Sequence, residues 1–164
     1  MSVDREALGA AFDALDASVD TLLGFDCDAL TTPELLAWLG RVEKVRRRLP
    51  ALEHAVINTL AHQASAEELG GKLSHAIAEA TSISRPQAAR RVREAADLGP
   101  RHGLTGQPLP PVLAETALRQ RQGTLGPEHV AVIRRFCHQL PGWVDQPTRE
   151  RAEADLARHG THIR

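Results

Sequence analysis

Residues 73–98 read LSHAIAEATSISRPQAARRVREAADL and have the pattern of two short helices joined by a tight turn. Ile77 and Ala78 give the first segment an apolar face, and Ile83 stands in the four-residue turn, where it would fill the corner between the helices. Ser84 is placed to cap the second helix, whose inward face would be formed by Ala88, Val92 and Ala95. This pattern predicts a helix-turn-helix.

Two residues depart from the usual pattern of such a unit. Ser82 stands in the turn at a position where glycine is common, and Arg91 stands in the second helix at a position that is often apolar. The helix pair is therefore also compatible with an ordinary packing corner.

The second helix of a helix-turn-helix lies in the DNA major groove, with its N-terminal part nearest the base edges. Arginine can bind guanine through two hydrogen bonds and glutamine can bind adenine in the same way, while further arginines anchor phosphates. On this hypothesis the DNA contacts are Arg85, Gln87, Arg90 and Arg93. The alternative is a solvated helix face, on which Arg90 pairs with Glu94 and Arg93 pairs with Asp97 four residues later.

Outward from this unit, helical spacing of apolar residues continues in both directions. Residues 31–34 read TTPE, a strong helix start, and the apolar phase then runs through Pro50, which predicts one long kinked helix that ends before Gly70. An N-terminal acidic helix, capped by Ser2, is expected within residues 1–29. Further helices are expected at 112–122, 127–140 and 145–159, and no segment alternates as a strand would.

These elements predict an all-α, multi-helix bundle in two lobes. Residues 30–98 would form the first lobe and residues 112–164 the second. The stretch 99–111, rich in glycine and proline, would be an extended connector between them.

The composition fits a globular chain. Of 164 residues, 42% are hydrophobic and only 3% aromatic, so the core must be built from aliphatic side chains, which suits helix packing. No apolar run approaches the roughly 20 residues that span a bilayer, and the acidic start does not resemble a signal peptide. We therefore expect a reduced, cytoplasmic protein without membrane association.

The charge is unevenly distributed although the formal net charge is only −1. Acidic residues crowd the first 28 positions, and a basic run follows at 41–48. Arg46 and Arg47 of this run are candidates for secondary phosphate contacts, since three successive arginines on a helix cannot share one face. The apolar seam from Leu35 to Leu60 could instead hold a homodimer together, and the simpler alternative is packing in the chain's own core.

No pattern of catalytic or ligand-binding residues emerges. The eight histidines do not show the spacing of three or four converging metal ligands, and phosphate-loop, dinucleotide and nucleophile-elbow motifs are missing from the sequence. We expect no catalytic residues, no metal, no cofactor and no small-molecule substrate.

Four stretches together carry a resemblance to a known family: RRRLPALEH at 46–54, LGGKLSHAIAEATSISRPQAARRVREAADLGPR at 69–101, LTGQPLPPVLAETA at 104–117 and GTLGPEHVAVIRRF at 123–136. In this order they resemble the actinobacterial 13E12-repeat family, whose shared region is a helical domain of unknown function, family 222. The resemblance covers roughly residues 30 to 164. It implies a nucleic-acid context, because this domain is commonly followed by an HNH nuclease domain and is associated with mobile elements.

The hypothesis that combines these observations is a noncatalytic helical domain that associates with double-stranded DNA. The alternatives are a protein-interaction or dimerisation module and an inactive, truncated fragment of a nuclease polypeptide. The last alternative arises because Arg164 falls within what resembles the family's helical region, so that the second lobe is expected to be incomplete.

Overall fold

A computed structural model describes residues 4–103 and 105–161. The chain divides into two compact units, Met1–Gly40 and Arg41–Arg164. The described residues form seven α-helices and one two-stranded sheet, which confirms the all-α prediction. The elements in chain order are α1 (Arg5–Leu23), α2 (Thr32–Gln63), α3 (Leu73–Ala80), α4 (Arg85–Leu98), β1 (Arg101–His102), β2 (Pro108–Leu109), α5 (Ala114–Gln122), α6 (Pro127–Gln139) and α7 (Gln146–Gly160).

The first helix begins later than predicted. The carboxylate of Asp4 accepts hydrogen bonds from the backbone N–H groups of Glu6 and Ala7, both at 3.1 Å, and so caps α1. The prediction of Ser2 as the cap is wrong, and Ser2 itself lies outside the described residues. An aspartate here also places a negative charge at the positive end of the helix dipole.

The long second helix confirms the prediction of continuity through Pro50, which lies inside α2. At its start, the hydroxyl and backbone N–H of Thr31 both donate to the Glu34 carboxylate, at 2.6 and 2.8 Å. Deeper in the helix, His54 and Ile57 are buried. Ile57 joins the apolar cluster that α3 and α4 form, so α2 supplies one wall of this cluster.

The pair α3 and α4 forms the predicted helix-turn-helix with the predicted inward faces. Ala88 and Ala95 are completely buried, and Ile77 and Ala78 are nearly so. Ile83 and Val92 are partly buried against the same cluster. Small alanine side chains allow the close approach of helices that this geometry needs. Ser84 caps α4, since its hydroxyl oxygen accepts a hydrogen bond from the backbone N–H of Gln87 at 3.3 Å.

The turn between α3 and α4 has a left-handed residue, as a glycine turn would, although that residue is serine. Ser82 has a φ of +54°, in the left-handed region that glycine adopts without steric cost. The backbone thus keeps the conformation of a glycine turn although the residue is serine.

The connector contains the one departure from an all-helical chain among the described residues. Arg101 pairs with Leu109 and His102 with Pro108 in a short antiparallel hairpin. The sequence shows no sign of this hairpin, and it does not change the all-α class of the fold. Two-residue strands are too short to show alternation in sequence, and the hairpin is closed by backbone bonds, Gly103 N–H to Gln107 O at 2.8 Å and Gly106 N–H to Gly103 O at 2.9 Å.

The last three helices surround a second apolar cluster. Its buried members are Leu98, Leu113, Leu125, Val130, Ile133 and Ala157. Leu98 is the last residue of α4, so this cluster continues from the helix-turn-helix into α5, α6 and α7. Within residues 4–103 and 105–161, no helix is both long enough and apolar enough to cross a bilayer.

Buried polar groups fix the start of α5. The carboxylate of Glu153, on α7, is buried and accepts hydrogen bonds from the backbone N–H and hydroxyl of Thr116 at 2.6 and 2.5 Å. A third, longer bond of 3.4 Å comes from the backbone N–H of Glu115. A side chain from another helix thus satisfies the free N–H groups of this helix start, where Leu113 offers no capping side chain.

Candidate nucleic-acid interface

All four residues predicted to contact DNA lie on α4, outside its buried apolar side. Arg85, Arg90 and Arg93 are exposed, and Gln87 is half-buried. Arg85 is the first residue of the helix, directly after the Ser84 cap. The apolar inner face is buried against α2 and α3, whereas the side chains of Arg85, Arg90 and Arg93 remain open to solvent.

Among the residues that the structure describes, the arginines of this face have no partner. In the part of the chain that the structure describes, Arg85, Arg90 and Arg93 make no hydrogen bond or ion pair. The predicted pairs of Arg90 with Glu94 and of Arg93 with Asp97 are therefore not formed. The alternative interpretation, a solvated helix face held by these two ion pairs, therefore lacks the pairs on which it depended. The three guanidinium groups can bind an external anion without breaking an ion pair among the described residues.

The two acids are engaged elsewhere because α5 and α6 cover the C-terminal half of α4. The side chain of Asp97 is 10% exposed and lies 2.7 Å from the Arg134 guanidinium and 2.9 Å from the His138 imidazole, both on α6. The Glu94 carboxylate lies 3.6 Å from His54 of α2 and 3.9 Å from Arg134, and it accepts a hydrogen bond from Gln120 at 3.2 Å. Four helices are thereby tied together through charged and polar groups.

The electrostatics of Glu94 follow from this network. Burial raises the pKa of the carboxyl, but the His54 imidazole, the Gln120 amide and the Arg134 guanidinium more than offset burial, and the pKa of Glu94 is lowered. Glu94 is thus an ionised structural partner at neutral pH and is not free to neutralise the exposed arginines.

Arg91 also has a structural role, which explains its presence at a position that is often apolar. Its guanidinium lies 3.1 Å from the Glu53 carboxylate of α2. The pair joins the second helix of the helix-turn-helix to the long helix behind it. Sequence reasoning missed this contact because the two residues are 38 positions apart.

Arg46 and Arg47, the predicted secondary phosphate contacts, share one acidic partner. Glu43 lies 3.2 Å from Arg46 and 2.9 Å from Arg47, at helical spacings of three and four residues. Arg46 is well exposed and Arg47 half-buried. The neighbouring Arg48 donates to the backbone carbonyl of Arg121 at 3.1 Å, so this basic run is partly used to pack α2 against the end of α5.

One further arginine, on α6, lies on the same side of the molecule as Arg93. Arg135 of α6 is exposed, and together with Arg93 and His138 it lines an open concavity between α4 and α6. Arg134 lines it too but is held by Asp97. The basic surface of α4 thus continues onto α6, and only the arrangement in space reveals this.

Cys137 lies beside His138 and faces a different cavity of about 170 Å³, which Glu153 and Arg149 also line. Burial, reinforced by the charges of Glu153 and Asp97, raises the pKa of its thiol to about 11. The thiol is therefore protonated at neutral pH and is a poor nucleophile. Among the residues that the structure describes, no three His, Cys, Asp or Glu side chains converge as metal ligands would.

The fold and this face define a helical domain built around a helix-turn-helix. Residues 36–164 match the family described as Domain of unknown function (DUF222), and the chain belongs to that family. This confirms the resemblance found in the sequence.

Similar proteins are found in mycobacteria. Uncharacterized protein Rv1702cMb1728c of Mycobacterium tuberculosis strain H37Rv is 60% identical over 163 residues, which are 99% of this chain and 36% of that protein. Uncharacterized protein Rv1128c of the same strain is 51% identical over 164 residues, 100% of this chain and 36% of that protein. Uncharacterized protein Mb1179c of Mycobacterium bovis is 52% identical over 160 residues, 98% of this chain and 35% of that protein. The chain thus spans about a third of the length of these relatives, and no solved structure matches it.

Proposed function

We propose that this chain is a noncatalytic DNA-binding domain that contacts the duplex through Arg85, Gln87, Arg90 and Arg93 of α4. The observation that carries the proposal is the set of exposed arginines, Arg85, Arg90 and Arg93, which lack a partner among the described residues and lie on the outer face of the second helix of a helix-turn-helix. An arginine without an internal partner breaks no ion pair within the protein when it binds a phosphate or a guanine edge.

The three arginines and Gln87 have different roles in this proposal. Arg85 and Gln87 stand in the first turn of α4, the part of a recognition helix that comes nearest to base edges. Arg90 and Arg93 lie one and two turns further along, where a helix in the major groove meets the phosphates of its walls. Arg46 and Arg47 are weaker, secondary contacts, because Glu43 neutralises part of their charge.

The family context supports a nucleic-acid role. In the 13E12-repeat family, which the sequence resembles, the helical domain commonly precedes an HNH nuclease. The chain spans about a third of the length of its mycobacterial relatives. In this proposal the helical domain provides DNA affinity to a nuclease of a mobile element and supplies no catalytic group. The site of action would be the cytoplasm, where bacterial DNA lies.

The direct test replaces all four residues of the face, Arg85→Ala, Gln87→Ala, Arg90→Ala and Arg93→Ala, in one protein. The matched control removes the same charge from other helices, with Arg121→Ala, Gln139→Ala, Arg151→Ala and Arg158→Ala, all of which are exposed. Binding to a labelled duplex is measured by fluorescence anisotropy, after circular dichroism has shown equal helicity.

We expect the α4 variant to lose at least tenfold in affinity and the control to stay within a few-fold of the parent. The slope of log K against log salt should fall by about 0.9 for each phosphate that the variant no longer neutralises, and thus by up to about 3 in the α4 variant. Equal weakening in both variants would show that only the overall charge matters. Unchanged affinity in the α4 variant would remove the proposed site.

A further inference from the structure

The long helix α2 has a buried side and, separate from it, an exposed apolar side. One side holds the buried residues His54 and Ile57. The other side carries a stripe of large apolar residues that solvent reaches, each between 41% and 60% exposed: Val42, Val45, Leu49, Leu52 and Val56. Contiguous exposed apolar surface of this kind marks an interaction site on a stable protein.

The helix α1 has an apolar stripe of the same kind. None of its residues is buried, and its stripe is between 38% and 56% exposed: Leu8, Phe12, Leu15, Val19 and Leu22. Most helical stability in proteins comes from packing of the apolar face, and the 19 residues of α1 bury none of theirs. The stripe of α1 therefore needs a cover.

The two stripes have matching spacing. Along α2 the steps are three, four, three and four residues, and along α1 they are four, three, four and three. From its first to its last residue each stripe spans 14 residue steps, about 21 Å at 1.5 Å per residue. Steps of alternately three and four residues are the heptad pattern of helices that pack by knobs into holes. When α1 is read from its C-terminal end, its steps have the same order as those of α2, so that each residue of one stripe faces one residue of the other. This match favours antiparallel packing.

Charge complements this match. The segment Asp4–Leu23 carries five acidic residues and one base, whereas residues 41–48 of α2 carry five bases and one acid. On a helical wheel, Asp16 borders the α1 stripe, and Arg41 and Arg46 border the two sides of the α2 stripe. An α1 helix from a second copy that packed against α2 would thus place opposite charges along the edge of the contact.

The exposed apolar face of α2 is longer than one α1 helix can cover. Exposed apolar residues run along α2 from Leu35 to Leu60, about 38 Å of helix, whereas the α1 stripe is about 21 Å long. One α1 helix therefore covers little more than half of the face. A second copy of the chain supplies another α2 as well as another α1. In a twofold arrangement, the part of each α2 face that α1 leaves uncovered can be buried against the α2 of the other copy.

We propose that this surface is a homodimer interface, in which α1 of one copy packs antiparallel against the outer face of α2 of the partner. The inference does not depend on DNA binding, since the residues involved lie outside the arginine face of α4. Each half of the interface thus consists of α1 from one copy and α2 from the other.

The first test measures the molar mass of the 164-residue chain by light scattering over a dilution series into the low micromolar range. We expect twice the mass of one chain. Leu52→Lys places a charge in the centre of the stripe and should raise the dimer dissociation constant at least 100-fold. The matched control is Val132→Lys on α6, because Val132 is 52% exposed and lies in neither stripe. This variant should remain a dimer.

The second test distinguishes packing between copies from packing within one chain. Copies with Leu15→Cys and copies with Leu49→Cys, both with Cys27→Ser and Cys137→Ala, are mixed and oxidised. We expect a disulfide-linked heterodimer from the mixture. The mass of a single chain at all concentrations, equal effects of the two lysine variants, or failure of the mixture to cross-link would each overturn the proposal. A single-chain mass combined with strong hydrogen-exchange protection in α1 would assign the cover to the chain itself.

Discussion

The helices α4 and α1 have similar sequence patterns but different surroundings. Both carry an apolar stripe at helical spacing and charged residues on the remaining surface. In α4 the stripe is enclosed, with Ala88 and Ala95 at 0% exposure, whereas α1 has no buried residue. The comparison shows that periodicity predicts the helix and its apolar side, but that tertiary packing decides whether this side is buried.

The largest expected change in the free energy of unfolding comes from a residue whose apolar side chain is enclosed. Leu125 is completely buried in the cluster of α5, α6 and α7. Leu125→Ala should lower the free energy of unfolding by about 3 kcal/mol, because it removes apolar contacts and leaves a cavity. Val132→Ala, on an exposed position of α6, should change it by less than about 0.5 kcal/mol. Urea denaturation followed by circular dichroism measures both. Similar losses in the two variants would mean that the cluster is not a packed core.

The buried carboxylate at the start of α5 should give the next largest effect. Glu153→Ala leaves the N–H and hydroxyl of Thr116 without their acceptor, and we expect a loss of about 2 kcal/mol. Glu153→Gln keeps an acceptor oxygen and should lose less. The exposed Glu150 of the same helix provides the control, Glu150→Ala. If thermal melts ranked Glu150→Ala below Glu153→Ala in stability, the assigned cap would be wrong.

The charge network of α4 should make stability depend on pH. The pKa of Glu94 is lower in the folded protein than in the unfolded chain, so its ionised form stabilises the fold. This contribution is fully present above about pH 4.5, the ordinary range of a glutamate, and is lost as the pH falls through the lowered folded pKa. Glu94→Gln should cost about 1 kcal/mol at pH 7 and flatten the decline below pH 4.5. An unchanged pH profile in this variant would contradict the role given to the network.

The smallest effect concerns the turn between α3 and α4. Ser82→Gly removes the steric cost of a left-handed serine, although glycine gains freedom in the unfolded chain. We expect a net stabilisation of about 0.5 kcal/mol, visible as a slightly higher Tm. Since the substitution lies away from the stripes of α1 and α2, it should leave the molar mass unchanged. A lower Tm would show that serine makes a contact worth more than the strain.

Local patterns in the sequence were sufficient to predict most of the helices. The α3 segment, the Ser84 cap and the continuity of α2 through Pro50 all follow from spacing, capping chemistry and phase. The cap at Asp4 and the hairpin at Arg101 were missed. Ser2 and Asp4 both belong to the types that cap helices, and two-residue strands leave no periodic signal.

The sequence identified the residues of the candidate site but did not predict that its arginines lack partners among the described residues. The sequence suggested that Glu94 and Asp97 pair with arginines four positions earlier, since such pairs are the nearest in a helix. In the structure, partners from α2 and α6 take both acids instead. Contacts between residues about 40 positions apart depend on tertiary packing, which neither propensity nor local charge spacing contains. The exposed arginines, and the continuation of their surface to Arg135, thus emerge only from the fold.

The measurement that tests the central claim most directly is the binding of the unmodified chain to a random-sequence duplex at several salt concentrations. If the exposed face of α4 binds DNA, fluorescence anisotropy should show a Kd of about 10⁻⁴ to 10⁻⁶ M that weakens steeply as salt is raised. No binding at low salt, or binding that salt does not affect, would contradict the claim that the unpaired arginines of α4 form a DNA-binding surface.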